Sequence, residues 1–343
     1  KTGHILAQAS APTFDPNNSA SITLDRLRNP AVQDVYEPGS TGKVMTLAAA
    51  IEEKKITPET VLTIPYALKR SVKTFHDHEP HPTQRLTTAG VLAVSSNTGS
   101  IKIGEMLSND KLYEYLTKFG IGSKTGSGLP GESRGILPKV ADWSGTTAPT
   151  VAFGQGYSVT AMQATSVFAT IANDGVRVSP TVIAGTSDSS GNYTPSATRE
   201  SVRVISAETA AQMRLMMESV VSANGTAPSA AIPGYRVAGK TGTAQRIDDT
   251  CGCYRGYTAS FIGFAPADNP AYVISVTIQD PKGMHWGGYL GGPVFKKVMS
   301  FVLQSKGIAP TGTKVDPIAL TEKQLLAERK LIADKKAASV KTN

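Results

Sequence analysis

Ser40-Thr41-Gly42-Lys43, Ser95-Ser96-Asn97 and Lys240-Thr241-Gly242-Thr243 occur in that order along the chain. Together they supply a nucleophile, candidate proton carriers and a dock for a carboxylate. A serine hydroxyl becomes a useful nucleophile only when a base takes its proton in the transition state. On a helix, residues three apart share a face, so the Lys43 amine can reach the Ser40 oxygen. To accept a proton near neutral pH that amine must lose its charge. A downward shift of about three units, equivalent to about 4 kcal/mol, is within reach of burial plus a neighbouring cation, and Lys240 is the expected cation. The chemistry these residues point to is acyl transfer through a serine ester.

The other roles follow from the same strings. A helix start leaves backbone N–H groups unpaired, so the Ser40 N–H is a natural donor to a developing oxyanion. Losing one such donor typically costs about 10²–10³ in rate. The second donor is expected from the strand bearing Lys240, at the Thr243 N–H. Gly239 and Gly242 are read as letting a substrate backbone lie along that strand. The Thr241 and Thr243 hydroxyls beside Lys240 suit a terminal carboxylate. Ser95 is placed to relay a proton to a leaving amine, and the Asn97 amide to hold both Lys43 and a substrate amide. Each string alone is weak, because Lys1-Thr2-Gly3 repeats the third one at the N-terminus and Ser40-x-x-Lys43 also fits an ordinary cap with a surface lysine. Order and setting carry the reading.

Those settings are legible in outline. Pro38-Gly39 breaks the chain before Ser40, and residues 44–53 are good helix formers throughout, which places the first string at a helix start. Residues 3–10 and 32–36 read as short strands. From about residue 57 to 202 the pattern is helical runs (87–94, 101–107, 111–119 and 160–172) between Gly/Pro-rich loops. Ser206 caps a further helix whose Met213, Met216 and Met217 fall on one face and read as core. Three strand-like segments follow at 235–243, 257–264 and 271–278, joined as a meander and so antiparallel. An apolar helix at 294–303 precedes a charged tail expected to be weakly ordered. The outcome is an α/β sheet domain with a helical insertion, and the three strings fall at the boundary between the two.

Composition narrows the class without choosing it. The 343 residues are 40% hydrophobic, enough for a substantial core, and Lys plus Arg outnumber Asp plus Glu by 35 to 27. That basic balance favours anionic partners, but the charge is scattered and no basic run with interleaved aromatics occurs, which argues against nucleic acid. The apolar stretches fall far short of the roughly 20 residues a membrane helix needs. The chain opens at Lys1 with no initiator Met and no secretion signal, so it reads as a fragment of something longer. Cys251-Gly252-Cys253 is read as too close-set for an easy loop-closing bridge; small loop residues are the default for the pair, metal binding or oxidation the alternatives, and the redox compartment is undecided.

Several features are decoys or undecided. Gly39 to Lys43 glances at a phosphate loop, but Glu37 stands where its first glycine belongs and Val44 where Ser or Thr would ligate magnesium. His76, His78 and His81 resemble metal ligands, yet their Pro-rich loop lacks helical spacing and no cysteine is near, so a solvated or loop-bracing role is expected and no metal is assigned. Trp286 in His285-Trp286-Gly287-Gly288 either shapes the mouth of a cleft or packs under its loop. Gly154-Gln155-Gly156-Tyr157 is either a tight turn or a cleft wall.

At this point the chain resembles the transpeptidase domain of class B penicillin-binding proteins, of the septal, division type found in Gram-positive and particularly actinobacterial organisms. The resemblance runs through Tyr36-Glu-Pro-Gly-Ser-Thr-Gly-Lys43, Val94-Ser-Ser-Asn97, Gly154-Gln-Gly-Tyr-Ser-Val-Thr160, Ala238-Gly-Lys-Thr-Gly-Thr-Ala-Gln245 and Phe261-Ile-Gly-Phe-Ala-Pro266. It implies a five-stranded antiparallel sheet flanked by helices plus an all-helical subdomain. The expected division is a transpeptidase domain at 1–315 (sheet subdomain 1–47 and 203–305, helical subdomain 48–202) and a charged tail at 316–343. It also implies a D,D-transpeptidase that cross-links peptidoglycan stem peptides through a Ser40 acyl-enzyme and is trapped by β-lactams. Lys43, Ser95, Asn97 and Lys240 are the implied catalytic partners, with Thr241, Gly242 and Thr243 at the ligand. No cofactor is expected. Division proteins of the membrane are the expected partners, and the outer face of the cytoplasmic membrane the expected location of the parent protein. The runners-up are a D,D-carboxypeptidase, a serine β-lactamase, or a β-lactam sensor or divisome scaffold. A class A β-lactamase would carry Glu in an E-x-x-L-N string, which is absent here.

Overall fold

The computed structural model describes residues 1–196, 199–248, 250–313 and 318–341. At its centre is helix α1, Lys43–Glu52, in which every residue from Lys43 to Ile51 is buried. A helix apolar on all sides belongs in the middle of a domain, and the run Val-Met-Thr-Leu-Ala-Ala-Ala-Ile makes it so.

Four short strands follow: β1 Val61–Ile64, β2 Ala67–Arg70, β3 Lys73–His76 and β4 Gln84–Thr87. They pair antiparallel as β1 with β4 and β2 with β3. The chain then passes through α2, Thr88–Ala93, and α3, Asn97–Gly104, and later through α4, Ala161–Ala172, and α5, Ala207–Val221. The meander comes next as β5 Ala238–Asp248, β6 Cys253–Ala265 and β7 Tyr272–Gln279. Helix α6, Gly287–Ser305, closes on it, and α7, Glu322–Lys341, ends the described chain.

The meander forms an antiparallel sheet with β6 between β5 and β7. Helix α5 packs against β5, while α4 and α6 pack against β6 and β7. Phe295 of α6 meets Phe261 of β6 edge to ring at 4.9 Å. Met213, Met216 and Met217 of α5 are fully buried in the main core, as their spacing predicts. That core runs without a break from α1 to the sheet, so burial of apolar area fixes both motif-bearing regions against one another.

Three expectations need correction. Among the described residues the central sheet has three strands, not five. Residues 3–10, read as a strand, make only the isolated bridge His4 to Thr181, and of 32–36 the first two residues lie in the helical turn Pro30–Gln33 while Tyr36 makes a lone bridge to Val159. Region 48–202, expected to be all-helical, also holds short ladders whose three- and four-residue strands are too brief for a periodic signal.

The C-terminal segment, expected to be weakly ordered, starts as part of the fold. Ala319 and Leu320 are buried, the Thr87 N–H donates to Leu320 O at 3.1 Å, and the Thr87 hydroxyl donates to Ala319 O at 2.7 Å. Arg85 and Arg329 then pair with Glu322 and Glu59 along α7. The expected boundary at 315/316 lies outside the described residues.

Candidate active site

Ser40 sits in a 3-10 turn, Gly39–Gly42, that runs directly into α1. Its neighbours Gly39, Thr41 and Gly42 are buried while Ser40 itself is partly exposed. The turn is held by the Thr41 hydroxyl donating to Pro38 O at 2.8 Å and by the Gly39 N–H donating to Gly154 O at 2.8 Å.

Lys43, the first residue of α1, is fully buried. Its Nζ donates to Ser95 O at 2.5 Å and to Asn97 Oδ1 at 2.7 Å, and lies 3.2 Å from Ser95 Oγ. Lys240, equally buried, donates from Nζ to Ser95 Oγ at 2.9 Å and to Thr241 Oγ1 at 3.2 Å. One hydroxyl therefore stands between two amines. Two carbonyl acceptors use both N–H groups of a neutral Lys43, which leaves its lone pair for a hydroxyl proton.

Burial pushes the Lys43 amine down to about 7, with Asp77 acting in the opposite direction. That shift corresponds to a penalty of about 5 kcal/mol on the charged form relative to water. Burial also drives Lys240 well below the ordinary lysine range, and the nearby Lys43 adds to it. Desolvation, rather than the second cation, is thus the leading cause at Lys43.

The second string works as a local device. Ser95 has a φ of +63°, a left-handed conformation uncommon outside glycine, and there both its carbonyl and its hydroxyl face Lys43. Ser96 is the N-cap of α3, accepting from the Gly99 N–H at 2.9 Å. Asn97 opens the helix and, besides holding Lys43, donates from Nδ2 to His76 O at 3.0 Å.

The third string lies on β5 in register with β6, Lys240 opposite Ile262 and Thr243 opposite Ala259. The Thr243 hydroxyl accepts from the Gly287 N–H at 3.1 Å, and the Thr241 hydroxyl meets that of Thr226 at 2.9 Å. Gly239 and Gly242 are also demanded by packing. A Cβ on Gly242 would lie 2.3 Å from Ser260 Oγ, and one on Gly239 2.5 Å from the Phe261 ring, so packing beneath the strand demands them. Trp286, just before α6, meets the His78 ring edge-on at 4.1 Å and His285 at 4.5 Å, and His285 stacks on Tyr257 at 4.1 Å.

Two carboxylates escaped sequence reasoning. Asp77, buried, accepts from Ser96 Oγ at 2.6 Å, from the Thr98 N–H at 2.8 Å and from Thr98 Oγ1 at 3.3 Å, and lies 3.1 Å from His81 Nε2. It ties the His-rich loop to the second string, so His81 braces a loop. Among the described residues no group of three His, Cys, Asp or Glu is arranged to hold a metal. Glu37, also buried, accepts from the Gly156 N–H at 2.9 Å and from Gln155 Nε2 at 3.1 Å. Gly154-Gln155-Gly156 is thereby a support for the loop that enters Ser40. The only trace of either acid in the sequence is an Asp or Glu beside a motif, which specifies no partner.

Cys251 and Cys253 form a disulfide, against the expectation of unbridged loop residues. Gly252 takes a φ of +61°, a turn that brings the flanking Cα atoms to 5.2 Å, inside the usual range for a bridge.

A serine at the start of a buried helix, two buried lysines sharing one serine hydroxyl and a Lys-Thr-Gly-Thr strand define the class of penicillin-binding, serine acyl-transfer domains. The chain belongs to that family: it matches the penicillin binding protein transpeptidase domain over residues 1–300. Penicillin-binding protein PbpB of Mycolicibacterium smegmatis is 40% identical over 331 residues, covering 93% of this chain and 51% of that protein. Peptidoglycan D,D-transpeptidase FtsI of Escherichia coli is 35% identical over 321 residues, covering 90% and 50%. The crystal structure of penicillin binding protein 3 from Mycobacterium tuberculosis complexed with aztreonam superposes with a TM-score of 0.87 at 39% identity, covering 94% of this chain and 73% of that one. The chain spans about half the length of these two relatives.

Proposed function

We propose that this domain is a peptidoglycan D,D-transpeptidase acting in septal wall synthesis, and that β-lactams acylate it at Ser40. The observation that carries this reading is the Ser95 hydroxyl held between Lys43 and Lys240 at 3.2 and 2.9 Å, beside the turn that bears Ser40. Neutral Lys43 takes the Ser40 proton as Oγ attacks the penultimate D-Ala carbonyl. The Ser40 and Thr243 N–H groups receive the oxyanion. The peptide bond to the terminal D-Ala breaks, and that residue leaves as an amine protonated through Ser95. An amine of a second stem peptide then attacks the ester, loses its proton to the same relay and frees Ser40. Thr241, Gly242 and Thr243 line the strand that takes the substrate terminus, with Lys240 behind them, and Asn97 fixes Lys43.

The name of the Escherichia coli relative states this reaction, and the Mycobacterium tuberculosis structure holds a β-lactam, which supports the reading. We place the domain on the outer face of the cytoplasmic membrane, in reach of division proteins. A disulfide supports an oxidising setting. Among the described residues no helix is long and apolar enough to cross a membrane. On this reading residues 1–47 join 203–305, which carry the sheet, in one subdomain, and the intervening 48–202 form the other.

The test is intact-mass detection of a penicillin adduct over hours, together with release of D-Ala from a pentapeptide mimic and formation of a cross-linked product with an added acceptor. A lasting adduct, lost in Ser40→Ala, with D-Ala release and a cross-link is the expected result. Labelling retained in Ser40→Ala removes Ser40 as the nucleophile. Loss of the adduct within seconds indicates a β-lactamase, D-Ala release without cross-link a carboxypeptidase, and labelling without D-Ala release a sensor.

A further inference from the structure

The Cys251–Cys253 disulfide closes the tip of the hairpin whose first strand carries Lys240-Thr241-Gly242-Thr243. The next residue, Tyr254, pairs with Ile247, and the ladder then breaks in a bulge before Tyr257, where Gly256 has a φ of +76°. Bulges bend and twist a strand and so re-aim the side chains beside them. Here the Tyr254 ring stays half exposed while its hydroxyl donates to Glu37 Oε1 at 3.2 Å.

Glu37 lies three residues before Ser40 and already ties the entry of the nucleophile's loop to Gln155 and Gly156. Among the described residues its hydrogen-bond donors are Gln155, Gly156 and Tyr254, of which Tyr254 comes from the hairpin that bears the third string. The Tyr254 hydroxyl is therefore a direct polar tie between that hairpin and the Ser40 loop.

We infer that Tyr254 is a positioning residue for acylation, acting through Glu37 on the Ser40 loop, and that the Cys251–Cys253 disulfide holds it in place. Both cysteines are exposed, so a small dithiol reaches them. Thiol–disulfide exchange breaks the Cys251–Cys253 bond, leaves two protonated cysteines and oxidises the dithiol to its own disulfide. The tip regains backbone freedom, and holding the tyrosine on Glu37 then costs conformational entropy that the bridge had removed. The inference rests on the acylation of Ser40 proposed above.

The experiment measures the second-order rate of acylation by a fluorescent penicillin. It compares the wild-type chain, the same chain treated with dithiothreitol, Tyr254→Phe, and the Cys251→Ser/Cys253→Ser pair. Each change is expected to slow acylation by about three- to tenfold with the adduct lifetime unchanged and the fold retained. Dithiothreitol is expected to slow Tyr254→Phe no further.

The pH profile gives a readout that a merely structural role would not move. Burial raises the Glu37 pKa, whereas its three donors and the charge of Lys73 lower it. Removing the Tyr254 hydroxyl raises it further, so in Tyr254→Phe the step at which Glu37 takes up its proton moves upward in the acylation profile, separate from the limb set by Lys43 and Lys240. The other groups facing Glu37, Tyr157 and Lys73, are the same in both proteins. Wild-type rates and an unmoved profile in Tyr254→Phe overturn the inference, as does a dithiothreitol effect of equal size in wild type and variant. Absence of any wild-type adduct instead overturns the reading of the site itself.

Discussion

Lowering the pH tests the central electrostatic argument, because the base is a lysine that the fold strips of its charge. Lys43 is fully buried and its amine is pushed down to about 7. In acylation measured as kcat/KM or its covalent equivalent, the acid limb reports the free enzyme's base. The sign is fixed: protonated Lys43 has no lone pair to receive the Ser40 proton, so the rate falls as pH falls. With a pKa of about 7, about half of the molecules are competent at about pH 7, about a tenth at about pH 6 and about a hundredth at about pH 5. Acylation should thus drop about fivefold over the first of these intervals and about tenfold over the next. The assay is time-resolved incorporation of a fluorescent penicillin under limiting reagent, with adduct confirmed by intact mass. Because Lys43 and Lys240 share Ser95, the limb belongs to the pair as a whole. A rate that stays level down to about pH 5, or a limb near the ordinary lysine range of about 10, would refute the assignment of a desolvated Lys43 as base.

Two further outcomes test the supports of the site. Asp77→Ala removes the acceptor for Ser96 and both Thr98 donors and should cost about 2–4 kcal/mol in denaturant unfolding while slowing acylation, whereas Asp77→Asn keeps one carbonyl acceptor and should cost less. Equal effects of the two changes would contradict a hydrogen-bonding role. Leu320→Ala, at a buried position in the main core, should cost about 2–3 kcal/mol, while Leu331→Ala on the exposed part of α7 should stay within about 0.5 kcal/mol. If both prove neutral, the segment after residue 318 is not part of the domain's core.

How much of this was legible beforehand depends on the range of the signal. The start of α1, the Met-rich face of α5 and the antiparallel meander are local patterns, and the structure has each of them in place. The first two strands of the meander run longer than predicted because pairing partners, not propensity, set their ends. The short ladders between residues 61 and 87 carry too few residues to show a period. Asp77 and Glu37 gave no signal, since a carboxylate's partners are defined only when other segments fold against it.

By itself the sequence determined the kinds of chemical groups present, their order, and which of them start a helix or lie on a strand, because those depend on neighbours a few residues away. Tertiary structure decided what those groups are at neutral pH and what holds them. Ser95 meets Lys43 across 52 residues and Lys240 across 145, and Tyr254 meets Glu37 across 217. The burial that neutralises a lysine is a property of everything packed around it, and the close-set cysteines could bridge only once Gly252 adopted its left-handed turn. Residue type can name a base, but only desolvation by the assembled core makes Lys43 one.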